Sequence, residues 1–279
     1  MKEVLIKEYN NLKNLKISPK KDDFLYNIHF VEGAFCEIRG ADDTKFRIEF
    51  IDKKTNKHLH FHDISNNMWT RTNAKYFIDY LIKVKNKDTD ELIHECEYNA
   101  KGKRVMICFD SKAIGDTLAW FPYVEEFRKK HQCEVIVSTF HNEWFKENYP
   151  NLEFIEPGDT AYNLYARYDI GWYYNEADYE ENNTINFNQI PTDFRKGPLG
   201  KTCSDILGLD YKEIKPKLTF KNTGSTIEGD YVVIAPHGSA HAKYWNHEGG
   251  WQAVIDHLNN NGYKVVMITQ EPLGDEWHD

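Results

Sequence analysis

Near residue 100 the hydrophobic pattern of the chain changes period, and that change constrains the fold more than any other feature. Before it, apolar and polar residues alternate over six short runs, at 24–30, 34–39, 46–52, 58–64, 76–86 and 91–98. Alternation of period two sends successive side chains to opposite faces, so each run reads as a half-buried strand. Turn clusters such as Glu32-Gly33 and Gly40-Ala41-Asp42-Asp43 separate them. The spacing predicts a small all-β domain, a sandwich or barrel, over residues 23–100, preceded by a polar arm over 1–22.

Beyond residue 100 the runs become continuously apolar. Residues 105–109 read as a strand covered on both faces in a parallel sheet. A helix follows, with Trp120, Tyr123, Val124 and Phe127 at i, i+3, i+4 and i+7. Runs at 135–138, 153–155 and 168–172 read as further strands, and residues 143–148 as a helix. A polar, Asn-rich excursion spans 175–195, and a helix over 201–207 closes on Gly208. This alternation is α/β, a first Rossmann-like domain over 101–225. A second one starts in 226–279, with a buried strand at 231–235, a helix facing inward through Trp251, Val254, Ile255 and Leu258, and a strand at 265–269. Two strands and one helix do not complete a doubly wound domain, so the chain reads as ending early for its own fold.

Charge and cysteine usage narrow the function. The 35 basic and 44 acidic side chains give a net charge of -9, which argues against a general nucleic-acid binder. No apolar run approaches the roughly 18 residues of a membrane span, and the first residues lack a signal-peptide core. The five cysteines are scattered without a CxxC pair. That argues against a disulfide framework or zinc ribbon and favours a reducing, cytoplasmic setting.

Two loops carry chemistry, each at the carboxyl end of an α/β strand, where open sheets bind ligands. The first is Asp110-Ser111-Lys112-Ala113-Ile114-Gly115-Asp116-Thr117. An ionised Asp116 there could take a proton from an acceptor hydroxyl, while Gly115, Thr117 and Lys112 support the loop or the acceptor. The plain alternative is an N-cap at the mouth of the next helix. The second is Pro236-His237-Gly238-Ser239-Ala240-His241-Ala242-Lys243-Tyr244-Trp245. Amides beside Gly238, the Ser239 hydroxyl and the Lys243 ammonium suit a diphosphate; the plain alternatives are a solvated lysine and a Trp245 packed on the helix.

These two segments resemble the ADP-heptose-using heptosyltransferases of glycosyltransferase family 9. The stretch 109–127, FDSKAIGDTLAWFPYVEEF, is similar to the autotransporter strand-loop-strand O-heptosyltransferases, which glycosylate serines of self-associating bacterial surface proteins. A β-rich segment before the first Rossmann-like half is also similar to that subgroup, and the resemblance covers roughly residues 24–279. It implies a GT-B enzyme with inverting, metal-independent transfer from ADP-heptose to an autotransporter adhesin. On it Asp116 is the catalytic base, and Ser239 and Lys243 hold the donor diphosphate. No cofactor is expected. The subgroup's Cys-rich iron-binding finger has no counterpart among the five cysteines, so iron is not carried over. Independent activity is not expected of these 279 residues.

Other readings stay open at this level. The chain could be a non-catalytic recognition or assembly module, including a homo-oligomer, or a lipopolysaccharide heptosyltransferase. His58, His60 and His62 share one strand face and could in principle ligate a metal. Three ligands from one strand are a poor site, however, and a polar face opposite inward Leu59 and Phe61 explains them more simply.

Overall fold

A computed structural model describes residues 25–175, 184–219, 224, 227–238 and 243–269. The expected arm over 1–22 lies outside the described residues. The chain divides into two compact units, residues 1–220 and 221–279.

The first unit is built on two sheets. In chain order its strands are β1 (Leu25–Val31), β2 (Phe35–Arg39), β3 (Lys45–Asp52), β4 (Lys57–Ser65), β5 (Met68–Arg71), β6 (Tyr80–Asn86), β7 (Leu92–Glu97), β8 (Arg104–Phe109), β9 (Glu134–Ser138), β10 (Leu152–Phe154) and β11 (Leu164–Ile170). A seven-stranded sheet has the order β10-β9-β8-β11-β1-β2-β5 and a four-stranded sheet the order β4-β3-β6-β7. From β10 to β1 the large sheet is parallel; β2 and β5 add antiparallel strands at one edge. The central strand β8 is buried from Val105 to Phe109, as its unbroken apolar run requires.

The expected sandwich or barrel over 23–100 therefore gives way to a shared arrangement. Strands β1, β2 and β5 extend the α/β sheet, with Phe30 of β1 opposite Ala166 of β11, while β3, β4, β6 and β7 pair among themselves. Alternation of period two reports that one face of a strand is covered, not which strand its edge will join. One hydrophobic core runs through both sheets, from Phe46, Ile48, Phe50 and Ile82 to Val105, Ile107 and Phe109.

Several local expectations change as well. The run at 76–86 shortens to β6, and β5 is an edge strand whose exposed Met68 and Trp69 give no alternation to read. The face assignment of β4 holds for the histidines and fails for its apolar residues: His58, His60 and His62 are exposed as expected, but Leu59 and Phe61 are exposed too. His60 pairs opposite buried Phe50 and His62 opposite buried Ile48, whereas Phe61 pairs opposite Glu49 on the outer face and is 61% exposed. Residues 143–148 form only a single 3₁₀ turn at Asn142–Trp144. The Asn142 side chain accepts from the Thr139 amide and donates to the Ile155 carbonyl, fixing a turn in place of a helix. Of the expected excursion, residues 176–183 lie outside the described set, but Ile185, Ile190 and Phe194 are buried.

The single helix expected through Trp120, Tyr123, Val124 and Phe127 resolves into two, α1 (Ile114–Trp120) and α2 (Pro122–His131). Pro122 opens α2, where its missing N–H costs nothing. Trp120, Tyr123, Val124 and Phe127 are all buried, as their spacing predicts. Helix α3 (Leu199–Ile206) ends before Gly208, whose φ of 62° is left-handed.

In the second unit β12 (Tyr231–Ile234) and β13 (Lys264–Met267) are parallel neighbours joined through α4 (Gly250–Asn260). Strand β12 is not buried on both faces as expected: Ile234 is buried, but Val233 is 49% exposed.

Candidate active site

Sheet order places the first site. Strands β9 and β10 lie on one side of β8, and β11 with β1 on the other. Where connections leave a central strand in opposite directions, the carboxyl ends of the two strands open a crevice. Here that crevice lies between β8 and β11, and the loop after β8 carries Asp110 to Asp116. The loop after β11 carries Gly171, Trp172 and Tyr173.

Three hydrogen bonds stitch these loops together. The Asp110 amide donates to the Ile170 carbonyl at 2.9 Å, the Tyr173 hydroxyl to Asp110 Oδ2 at 2.7 Å, and the Trp172 indole Nε1 to Asp116 Oδ2 at 2.9 Å. Gly171 permits the approach, since a Cβ there would stand 3.1 Å from the Tyr173 hydroxyl and 3.2 Å from Asp110 Cβ. Burial, reinforced by the Asp110 carboxylate, pushes the Tyr173 hydroxyl far up, so it stays a donor. Below the rim, burial also raises the Asp169 carboxyl, against the opposing pull of Arg167.

Asp116 does not cap its helix. The residue before α1 is Ala113, which offers no side-chain cap. Asp116 sits in the first turn, half-buried, and its Oδ2 accepts from Ser111 Oγ at 2.6 Å as well as from Trp172. Ser111 Oγ in turn accepts from the Ala113 amide at 3.1 Å. Thr117 is fully buried and donates to the Ala113 carbonyl at 3.1 Å, a structural role that keeps it from an acceptor. Gly115 is exposed with open space where a Cβ would be. The exposed Lys112 reaches over the Phe140 ring, 5.1 Å from its centroid, and His141 Nε2 lies 3.0 Å from the Lys112 carbonyl. The structure thus gathers Lys112, Gly115, Asp116 and Thr117 at one crevice. It brings three more residues to that crevice: Asp110, which opens the loop itself, and Trp172 and Tyr173, from a stretch (169–188) whose sequence suggests an acceptor-groove lining or, more simply, a surface loop. Their signal was the Gly-Trp-Tyr step directly after a parallel strand.

In the second unit, the loop after β12 borders an open cavity of about 370 Å³ lined by His237, Tyr244, Trp245, His247, Glu248 and Trp251. Gly238 lies close to Lys243: a Cβ at Gly238 would stand 3.2 Å from the Lys243 Cβ. Trp245 meets Trp251 edge-on at 5.3 Å yet remains 48% exposed, so it is no core aromatic. Ser239, the expected hydroxyl of this loop, lies outside the described residues.

No family model matches the chain. Among curated proteins it is 30% identical over 253 residues to the autotransporter heptosyltransferase BAHTCr of Citrobacter rodentium, covering 90% of this chain and 58% of that protein. It is 24% identical over 229 residues to BimC of Burkholderia thailandensis, described as an inactive autotransporter heptosyltransferase, covering 81% of this chain and 52% of that protein. Among solved structures it matches the iron-containing dodecameric glycosyltransferase TibC of enterotoxigenic Escherichia coli. The TM-score is 0.76 and the identity 27%, over 94% of this chain and 65% of TibC. A second TibC structure, in complex with ADP-D-β-D-heptose, matches with a TM-score of 0.75 and 26% identity over 93% of this chain and 65% of that one. The chain thus spans about half to two thirds of the length of the relatives it matches. Its homologues are autotransporter heptosyltransferases, as the resemblance over 109–127 implies.

One expectation is overturned. No cofactor was expected, but TibC is iron-containing. Among the described residues no group of three or more His, Cys, Asp or Glu side chains is placed to hold a metal ion, the β4 histidines included. The described residues do not fit an iron centre. Nor is any helix among the described residues long and apolar enough to cross a membrane.

Proposed function

We propose that this chain carries the glycosyl-transfer chemistry of an autotransporter heptosyltransferase, moving heptose from ADP-heptose to serine hydroxyls of an autotransporter adhesin. The observation that carries the reading is the Asp116 carboxylate, held at the β8–β11 switch point by Ser111 and Trp172. Support comes from the homologues and from the complex of TibC with its nucleotide sugar. In a GT-B arrangement residues 101–225 supply the acceptor side and residues 226–279 begin the donor side, with 23–100 as a β-rich recognition segment. A homo-oligomer belongs to the same reading, TibC being dodecameric.

The chemistry follows from the residues. Asp116 accepts the proton of the acceptor serine as its oxygen forms a bond to the anomeric carbon of heptose. The bond from that carbon to the diphosphate oxygen breaks, and ADP leaves with both bonding electrons. The Lys243 ammonium, with backbone amides at Gly238 and the Ser239 hydroxyl, offsets the charge gathering on the leaving diphosphate. The test is transfer by the full-length protein to a serine-bearing adhesin peptide, read by mass spectrometry and ADP release. Asp116→Asn should lower it by about 10²–10⁴-fold with folding intact; retained transfer overturns the base assignment.

A second reading, a non-catalytic recognition module, draws on BimC, a homologue described as inactive. It predicts that the full-length protein binds the adhesin peptide and releases no ADP.

A further inference from the structure

Both recorded hydrogen bonds to the Asp116 carboxylate fall on a single oxygen. Ser111 Oγ and Trp172 Nε1 donate to Oδ2 at 2.6 and 2.9 Å, and among the described residues no donor reaches Oδ1. Each donor is itself held. Ser111 Oγ accepts from the Ala113 amide. The Trp172 ring packs against Trp120 at 5.4 Å and edge-on against Phe194 at 4.9 Å. Trp120 is fully buried, and its Nε1 donates to the Leu199 carbonyl of α3 at 3.0 Å. A chain of fixed groups thus runs from the core to one carboxylate oxygen.

A free carboxylate turns about its terminal torsion, and its two oxygens are interchangeable. Two convergent donors remove that equivalence: Oδ2 is the anchored atom, and Oδ1 is left as the acceptor of a substrate proton. From this geometry we infer that Trp172 and Ser111 are positioning residues that select Oδ1 of Asp116 as the working oxygen of the base. The inference rests on the transferase reading above. Trp172 suits the part because it is 37% exposed, with its N–H on Asp116 and its ring wedged between Trp120 and Phe194. A tryptophan serving only as packing would be replaceable by another aromatic ring. One serving through its N–H would not.

The experiment compares Trp172→Phe, Ser111→Ala and Ser111→Thr in the full-length protein, alone and in an Asp116→Asn background. The expected result is a fall in kcat of about 10–100-fold for Trp172→Phe and Ser111→Ala, with the acceptor KM within about twofold, because misplacing a reacting group costs turnover rather than binding. Ser111→Thr, which keeps the hydroxyl, should recover most of the loss. In the Asp116→Asn background Trp172→Phe should have no further effect, since it acts through Asp116.

A second readout needs no activity. Of the indole N–H resonances from the seven tryptophans, the one deleted by Trp172→Phe should move upfield in Asp116→Ala. Wild-type kcat in Trp172→Phe, an equal loss in both backgrounds, or an unmoved indole resonance overturns the inference. A wild-type protein that transfers nothing overturns the transferase reading alone, and the indole resonance then still decides the contact.

Discussion

Phe77 lies against Gly208 so closely that a Cβ at Gly208 would stand 2.0 Å from the Phe77 ring carbon Cδ1. The Phe77 amide also donates to the Ile206 carbonyl at 2.8 Å, so the segment before β6 is fastened to the end of α3. Helix α3 holds Trp120 through its Leu199 carbonyl, and Trp120 supports Trp172 beside Asp116. Gly208→Ala would combine a left-handed φ with a clash in the core. It should cost about 2–4 kcal/mol of stability, measured by denaturant unfolding. A loss no larger than that of a surface substitution would contradict the packing described.

Two histidines, buried His29 and half-buried His131, set an acid limit on stability. His29, 9% exposed and stacked on Phe35 at 4.4 Å, is pushed by burial down to about 4, although Glu37 and Glu32 oppose the shift. His131, against Phe77 and Phe127, is likewise pushed by burial to about 4, with Lys130 adding to the effect. Unfolded, both titrate near their ordinary value of about 6.5. Between these values the unfolded chain binds protons that the folded chain refuses. The stability is fully present above pH 6.5 and is lost as pH falls toward 4. For His29 alone the shift corresponds to about 3 kcal/mol. Asp169, raised by burial, works the opposite way, because the folded chain keeps its proton where the unfolded chain has lost it. The urea midpoint should be lower at pH 5 than at pH 7, and His131→Phe should narrow the gap. Equal midpoints at the two pH values would sink the argument.

Thr202 on α3 is 2% exposed, and its Oγ1 has no hydrogen-bond partner among the described residues. A buried hydroxyl without a partner carries a desolvation cost that a methyl of the same shape does not. Thr202→Val should therefore raise stability by about 1 kcal/mol, seen as a higher midpoint of thermal unfolding. A lower midpoint would mean that the hydroxyl has a partner in solution.

How much of this was legible in the sequence depends on what each pattern encodes. Continuous apolar runs and helical spacing announced β8, β9 and the buried row Trp120, Tyr123, Val124 and Phe127, because burial on both faces leaves a local trace. Strand partnership leaves none. Nothing in the alternation of residues 25–39 says that β1 will lie beside β11, some 130 residues later. Asp116 was legible as a carboxylate after a parallel strand, with an N-cap as the rival reading. Its actual partners were hidden, because Trp172 comes from a different loop and meets it only once the sheet is ordered. The histidines of β4 are exposed as read, but Leu59 and Phe61, the apolar set of that strand, are exposed as well rather than turned inward. Strand β4 is an edge strand of its sheet, and its register sets Phe61 opposite Glu49.

The two loops of the proposed transferase should separate cleanly in binding. Lys243 belongs to the loop after β12, close to Gly238, where a cation and backbone amides suit a diphosphate. A charge-assisted hydrogen bond to phosphate is worth about 1.5–3 kcal/mol, so Lys243→Met should raise the Kd for ADP-heptose roughly 10–100-fold by calorimetry. Asp116 acts on the acceptor, and Asp116→Asn should leave donor affinity within about threefold, a difference below 1 kcal/mol. Gly238→Ala should weaken the donor as well, because its new Cβ would press on the Lys243 side chain at 3.2 Å. If Lys243→Met binds ADP-heptose as tightly as the wild type, the diphosphate is held elsewhere, and the assignment of this loop to the donor fails.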